Sequence, residues 1–178
     1  MILCSSNKFK IKEFQRILGD NLTIQSSKDL KEVDGTALDV IIYKSLEAGK
    51  NFIVEDTILT VDGKEVVDIR WSQDEVLKEG LKSEWIVSLG YNDGTYIYVY
   101  QGIITGTIVK TNCNGYGFDP YFLPTNSSLT LCELDIIGKK DDFSARVIAL
   151  KNLKNNLYIK KIKISDIPTW NGNYQNEN

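Results

Sequence analysis

The chain begins Met1-Ile2-Leu3-Cys4-Ser5-Ser6-Asn7 and continues from Lys8 to Leu18, and this stretch indicates the fold class. Ile2 to Cys4 is a short apolar run, which is typical of a strand, and Ser5 to Asn7 are turn and cap residues. From Lys8 to Leu18 the apolar residues recur at helical spacing. A strand, a polar turn and a helix in this order predict an α/β protein.

The next segments repeat the pattern of strand and helix. Leu22 to Ile24 predicts a second strand, and a capping-box-like start at Thr36 predicts a helix that reaches Ala48 and ends at Gly49. Phe52 to Val54 follows as a buried strand that can continue through Ile58 to Val61.

The middle and end of the chain predict more sheet. We expect a short helix from Gln73 to Leu81, and a hairpin of Thr95 to Tyr100 with Ile103 to Lys110 that turns at Gln101-Gly102. A helix from Ser144 to Leu153 and a strand from Leu157 to Ile164 come last. The prediction is therefore one mixed α/β domain over residues 1–170, with a frayed tail over residues 171–178.

Charge and hydropathy exclude two classes of partner. The chain has 21 Lys and Arg residues against 24 Asp and Glu residues, with the acidic residues spread along it. No basic stripe is present to bind the backbone of a long nucleic acid, and no apolar run is long enough to cross a bilayer. We expect neither a nucleic acid polymer nor a membrane as partner.

Cysteine and histidine usage limits the chemistry. Three cysteines, Cys4, Cys113 and Cys132, form no C-x-x-C pair, which favours reduced thiols in a cytoplasmic protein. The chain has no histidine, so it lacks the commonest general base and every Ser/His or Cys/His nucleophile. The chemistry must therefore rest on carboxylates, lysines and a hard metal ion.

The first candidate site is the turn from Ser5 to Lys10. A strand end followed by a helix start presents backbone N–H groups and the positive end of the helix dipole to an anion, and Lys8 and Lys10 add charge. The alternative is that Ser5 to Asn7 only cap the helix and the lysines are solvated.

Acidic residues at two places in the sequence form the second candidate site. Glu55-Asp56-Thr57 comes directly after an apolar strand, and Glu32 lies in a turn upstream. Hard divalent cations prefer carboxylate oxygens, so these residues suit a magnesium ion. The alternative is a simple strand end with a solvated Glu32.

The third candidate site combines aromatic and basic residues. Gly115 to Pro120 interleaves glycines with aromatics, so that a ligand can approach the backbone while a ring stacks on it. Lys140 and Arg146 flank a helix start at Ser144. The alternatives are an aromatic-stabilised turn and a solvated basic face.

These motifs, taken in order, resemble those of the inosine triphosphate pyrophosphatase family from Ile2 to about Leu150. That family has T-G-N-x-x-K, V-E-D-T, F-G-[WY]-D-P and K-x-x-x-S-H-R motifs. The matching stretches here are Ser5-Ser6-Asn7-Lys8-Phe9-Lys10, Glu32, Lys44, Val54-Glu55-Asp56-Thr57, Gly117-Phe118-Asp119-Pro120, Cys132-Glu133-Leu134, and Lys140 with Ser144 to Arg146.

The resemblance implies roles for individual residues. It implies that Asp56 and Lys10 are catalytic, with Asp56 as the base or the water-orienting acid, and that Glu32 and Asp56 hold Mg²⁺. The substrate-binding residues that it implies are Ser5, Ser6, Asn7, Lys8, Lys10, Lys44, Thr57, Tyr116, Gly117, Phe118, Asp119, Lys140, Ser144 and Arg146.

The resemblance also implies a fold and an activity. The fold is an elongated, twisted mixed sheet whose flanking helices form two lobes around a central cleft, usually in a homodimer. The activity is Mg²⁺-dependent hydrolysis of non-canonical purine nucleoside triphosphates, such as ITP, dITP and XTP, to the monophosphate and pyrophosphate. Lys10, Lys140 and Arg146 would stabilise the charge on the leaving pyrophosphate, while Tyr116 and Phe118 hold the base.

The chain departs from the family pattern at three places. Ser6 replaces a glycine, residues 62–71 form a shortened stretch, and Ala145 replaces the histidine of S-H-R. The last change predicts that the protein prefers inosine and xanthosine triphosphates over canonical ones less strongly than the family does, unless Arg146 or Ser144 supplies a hydrogen-bond donor. Two alternatives therefore stay open: a nucleotide-binding or regulatory protein with weak or lost turnover, and a pyrophosphatase with altered base preference.

Overall fold

A computed structural model describes residues 2–25, 30–66 and 78–175 of the chain. The helix expected from Gln73 to Leu81 lies outside the described residues up to residue 77, and residues 78–81 are not helical. No helix within the described residues is long and apolar enough to span a membrane.

The expected alternation of strand and helix at the start of the chain is confirmed. Asn7 caps the first helix, and Thr36 forms a capping box with Asp39 at the start of the second, which ends at Gly49. The elements are β1 (Ile2–Cys4), α1 (Lys8–Leu18), β2 (Thr23–Gln25) and α2 (Ala37–Ala48).

The remaining elements are mostly strands. They are β3 (Phe52–Val61), β4 (Lys64–Glu65), β5 (Lys82–Asn92), β6 (Tyr96–Ile108), β7 (Phe122–Pro124), α3 (Leu131–Ile136), α4 (Ala145–Lys154) and β8 (Lys160–Lys163). Short 3₁₀ turns occur at Gly19–Asn21, Lys140–Phe143 and Ile164–Asp166.

These strands form one mixed sheet, as expected. The strand order is β2-β1-β3-β5-β6-β7, with β4 paired to β3 and β8 paired to β6. β1 lies parallel to both β2 and β3, whereas β6 is antiparallel to both β7 and β8. The mixed α/β fold class is therefore confirmed.

Two strand boundaries differ from the prediction. The turn expected at Gln101-Gly102 is wrong, because both residues lie inside β6, and the chain instead turns at Gly94, whose φ is +93°. Asp93 fixes that turn by accepting hydrogen bonds from the N–H groups of Thr95 and Tyr96. β3 is continuous, so Asp56 lies within a strand and not after one.

Strand β5 and helix α3 were not predicted from the sequence. β5 follows a segment with no clear periodicity, although its first residues alternate between exposed and buried. The start of α3 carries a capping box formed by Thr130 and Glu133, which is a recognisable pattern of helix starts.

The chain forms two compact units. Unit 1 comprises Met1–Asp56, Ser88–Gln101 and Ala149–Asn178, and unit 2 comprises Thr57–Val87 and Gly102–Ile148. One cluster in the core of unit 1 contains the buried side chains Cys4, Ile41, Ile42, Val54, Ile97 and Val99. In unit 2 the largest fully buried side chains are Trp85 and Phe122.

The end of the chain makes backbone contacts within unit 1. Tyr174 forms an isolated bridge with Val33, and the N–H group of Gln175 donates to the carbonyl of Glu32 at 2.7 Å. The fraying expected from residue 171 is therefore not seen at residues 173–175, since backbone hydrogen bonds hold them. Residues 176–178 of the expected tail lie outside the described residues.

A disulfide joins Cys113 to Cys132 in unit 2. The expectation that all cysteines are reduced is wrong in this structure, because the fold brings together two cysteines that are distant in sequence. The N–H group of Cys132 donates to the Asp119 carbonyl at 3.0 Å. A Cβ at Gly115 would lie 2.9 Å from the Cys132 Sγ, so only glycine permits this close approach.

We expect the disulfide to stabilise the protein. It closes a loop between residues 19 apart, and constraining a loop of that length in the unfolded chain contributes about 3 kcal/mol. The Cys113→Ser/Cys132→Ser variant should lose this amount in free energy of unfolding, measured by urea denaturation without reductant. Wild-type protein in excess dithiothreitol should behave like the variant. Equal stability of the variant and the oxidised wild type would contradict the prediction.

Candidate functional site

The turn between β1 and α1 is built by local hydrogen bonds. Asn7 Oδ1 accepts from the N–H groups of Phe9 at 3.0 Å and Lys10 at 3.2 Å. Ser5 Oγ accepts from the N–H group of Asn7 at 3.2 Å. The capping alternative therefore accounts for the Asn7 side chain, and the anion-binding role of the turn stays a prediction.

A cavity of about 300 Å³ lies beside this turn in unit 1. It is mainly polar, and it brings together the turn, two acidic residues and two lysines that are far apart in sequence. Its lining residues are Cys4, Ser5, Ser6, Asn7, Lys10, Leu30, Glu32, Lys44, Val54 and Glu55. Lys8, which we expected in the site, is exposed and is not among them.

Lys10 and Glu55 form an ion pair at this cavity. Lys10 Nζ lies 2.6 Å from Glu55 Oε2, and the Glu55 side chain is only 1% exposed. Lys10 reaches Glu55 from the first turn of α1, whereas Glu55 lies within β3. Glu55 was expected only as one of the carboxylates of the second candidate site, and its ion pair with Lys10 was not predicted.

Lys44 joins the two residues that we expected to hold a metal. Its Nζ lies 2.6 Å from Glu32 Oε1 and 3.3 Å from Asp56 Oδ1. Burial acts to lower the pKa of Lys44, but the carboxylates of Asp56 and Glu32 outweigh it and raise that pKa above its ordinary value. Burial raises the pKa of the Asp56 carboxyl, although Lys44 and Lys10 oppose the shift.

The carboxylates of Glu32 and Asp56 suit a magnesium ion whose other ligands are phosphate oxygens of a bound substrate. Within the described residues, no three His, Cys, Asp or Glu side chains meet closely enough to hold a metal by themselves. Magnesium is usually bound through one or two carboxylates together with substrate phosphate oxygens. Glu32 and Asp56, which meet through Lys44, supply two such carboxylates.

The aromatic residues of the third candidate site lie in unit 2. Residues 116–121 form a tight turn in which the N–H group of Asp119 donates to the Tyr116 carbonyl at 3.1 Å. Gly117 has a φ of +58° within this turn. Phe118 is buried, whereas Tyr116 is 44% exposed.

Lys140 and Arg146 are buried beside those aromatic residues. Lys140 Nζ donates to Asp119 Oδ2 at 2.6 Å, and Arg146 Nη2 donates to Thr57 Oγ1 at 3.2 Å. Both cations lie over the ring of Trp85. The structure thus brings together the pairs Lys140–Asp119 and Arg146–Thr57 beside Trp85, a residue that was not among the predicted site residues. The substrate-binding role of Thr57, Asp119, Lys140 and Arg146 stays a prediction.

Ser144 and Ala145 occupy structural positions at the start of α4. Ser144 Oγ accepts from the N–H group of Val147 at 3.3 Å, which is the bond that a helix cap makes. Ala145 is fully buried and has no polar side-chain atom.

The protein is of the mixed α/β class. Unit 1 carries a cavity lined by acidic residues and lysines, and unit 2 carries a cluster of aromatic and cationic side chains. The model of the Ham1 family matches residues 1–65 and 77–156, so the chain belongs to the Ham1 family.

Relatives and solved structures agree with that assignment. The chain is 29% identical to the dITP/XTP pyrophosphatase of Korarchaeum cryptofilum, over 86% of this chain and 94% of that protein. It is 26% identical to the inosine triphosphate pyrophosphatase of Aspergillus oryzae, over 84% of this chain and 89% of that protein. The structure of the Staphylococcus aureus Ham1 protein has a TM-score of 0.62 at 22% identity and covers 88% of this chain and 97% of its own, which supports the fold.

Proposed function

We propose that this protein hydrolyses non-canonical purine nucleoside triphosphates, such as ITP, dITP and XTP, to the nucleoside monophosphate and pyrophosphate. The cavity of unit 1 carries the proposal. It combines the N-terminal turn of α1 with Lys10 and with Glu32, and Lys44 in its lining connects Glu32 to Asp56, the second carboxylate that suits a magnesium ion. The names of the relatives agree with this substrate class.

The residues of unit 1 have distinct roles in the proposed reaction. A magnesium ion held by Glu32 and Asp56 would neutralise charge on the phosphate oxygens. Asp56 accepts the proton of the water that attacks the α-phosphorus, and the bond from that phosphorus to the bridging oxygen of pyrophosphate breaks. Lys10 stabilises the negative charge that develops on the pyrophosphate, and Lys44 fixes the two carboxylates.

The residues of unit 2 are proposed to bind the base. Lys140 and Arg146 lie beside Trp85, and Trp85 makes an edge-to-face contact with Phe118. This grouping favours contact with a base over the pyrophosphate role that the resemblance implied for the two cations. The homodimer and the cytoplasmic location stay predictions.

One observation favours the alternative of a nucleotide-binding protein with weak turnover. Lys44 already neutralises Glu32 and Asp56, and such a pair of contacts competes with a magnesium ion. Incubation of the purified protein with a panel of nucleoside triphosphates and Mg²⁺ separates the two functions. Pyrophosphate release supports the proposal, whereas tight binding without release, or release of orthophosphate, contradicts it.

We expect the Lys10→Ala variant to bind triphosphates more weakly. The loss of one charge-assisted contact costs about 1.5–3 kcal/mol, or roughly 10–150-fold in the dissociation constant of a non-hydrolysable ITP analogue. Lys8→Ala is the matched control, because Lys8 lies on the same helical turn but is exposed and does not line the cavity. Calorimetric titration measures both. Equal affinities of the two variants would place the phosphate site elsewhere.

A further inference from the structure

Trp85 lies at the centre of a cluster of aromatic and cationic side chains in unit 2. Its side chain is on β5 and is only 2% exposed. The Lys140 Nζ lies 5.8 Å from its ring centre and the Arg146 Cζ lies 5.7 Å from it. The ring of Phe118 meets it edge to face at 5.9 Å between centres.

The indole N–H group of Trp85 makes no hydrogen bond with any residue that the structure describes. Its Nε1 is buried and has no hydrogen-bond acceptor within the part of the chain that the structure describes. A buried donor without an acceptor disfavours folding, whereas a phenylalanine would supply an aromatic ring without that cost. Trp170 shows the ordinary case, because its Nε1 donates to the carbonyl of Asn173 at 2.9 Å.

The residues around this N–H group determine which kind of ligand could accept a hydrogen bond from it. An indole N–H only donates hydrogen bonds, and the ammonium and guanidinium of its two cationic neighbours also only donate. A ligand placed here must therefore offer acceptors. A purine with a ring carbonyl, such as hypoxanthine or xanthine, has an oxygen acceptor where adenine has an amino donor.

We propose that Trp85 determines base specificity by donating a hydrogen bond from Nε1 to the carbonyl oxygen of an oxopurine base, an inference that rests on the proposed function. A site built on such a donor discriminates against a base that cannot accept from it. The competing explanation is an N–H contact with the face of Phe118, which would be a packing feature and would not distinguish one base from another.

The Trp85→Phe variant tests the proposal, with Trp170→Phe as the matched control that removes an indole N–H in unit 1. Dissociation constants for inosine and adenosine monophosphate, measured by calorimetric titration, need no turnover. We expect Trp85→Phe to weaken inosine monophosphate binding about tenfold, which is the usual effect of one hydrogen bond, and to leave adenosine monophosphate unchanged. Trp170→Phe should change neither.

Equal changes for both nucleotides, or no change, would overturn the role of Trp85. A second measurement avoids dependence on the folding of the variant: wild-type protein should bind purine riboside monophosphate, which has no ring carbonyl, about tenfold more weakly than inosine monophosphate. Equal affinities would also overturn the proposal. Wild-type protein that prefers inosine monophosphate but releases no pyrophosphate from any triphosphate would contradict only the proposed hydrolysis.

Discussion

We expect the Asp56→Asn variant to lose about a thousandfold in kcat/KM for ITP, which corresponds to about 4 kcal/mol of transition-state stabilisation. The substitution removes the charge that faces Lys44 and that is proposed to hold the metal and accept the proton of the attacking water. Pyrophosphate release under a saturating Mg²⁺ concentration measures the effect. Asp20→Asn, which neutralises an exposed carboxylate in the same unit, is the control.

The fold should tolerate Asp56→Asn. Burial raises the pKa of Asp56 in the folded protein above its ordinary value, so the folded state disfavours the ionised form. A group whose pKa is raised on folding contributes stability at low pH and loses that contribution as the pH rises through the raised pKa. At neutral pH the uncharged asparagine therefore costs no electrostatic stability. A melting temperature equal to that of the wild type, with near wild-type turnover, would contradict the catalytic assignment.

The start of the fold was predictable because local rules determine it. Asn7 and Thr36 cap their helices as their residue types suggest, and Gly49 ends α2. The hairpin was misplaced because Gln101-Gly102 looks like a turn in isolation, whereas β6, which lies beside β5 in the sheet, continues through both residues. Strand pairing is set by distant partners, which a single segment of sequence does not display.

The sequence predicted which residues are candidates for the site, but it did not predict which of them contact each other. The residue types indicated Glu32 and Asp56 as metal ligands, and the resemblance implied that Lys44 binds substrate. The bridge that Lys44 forms between the two acids was not predicted, because it depends on the packing of α2 against the sheet. The contact of Glu55 with Lys10 and the position of Trp85 were not predicted, because the sequence did not show clearly which side chains of β3 and β5 are buried. The Cys113–Cys132 disulfide was missed for a related reason, since spacing alone does not bring two thiols together.

The second large effect is expected at Lys140. Its side chain is 6% exposed and its Nζ is 2.6 Å from Asp119 Oδ2, so the pair is shielded from water. Removal of one member of a buried ion pair costs about 3–5 kcal/mol, because the remaining charge loses its partner in a region of low dielectric constant. We therefore expect Lys140→Met to lower the free energy of unfolding by this amount, measured by urea denaturation.

Two further variants separate the ion pair from other effects of the methionine. Lys139→Met changes the adjacent, exposed lysine and should alter stability by less than about 0.5 kcal/mol. The Lys140→Met/Asp119→Asn double variant should recover part of the loss, because it leaves no buried carboxylate without its cation. A double variant no more stable than Lys140→Met alone would contradict the attribution of the loss to a buried carboxylate without its cation.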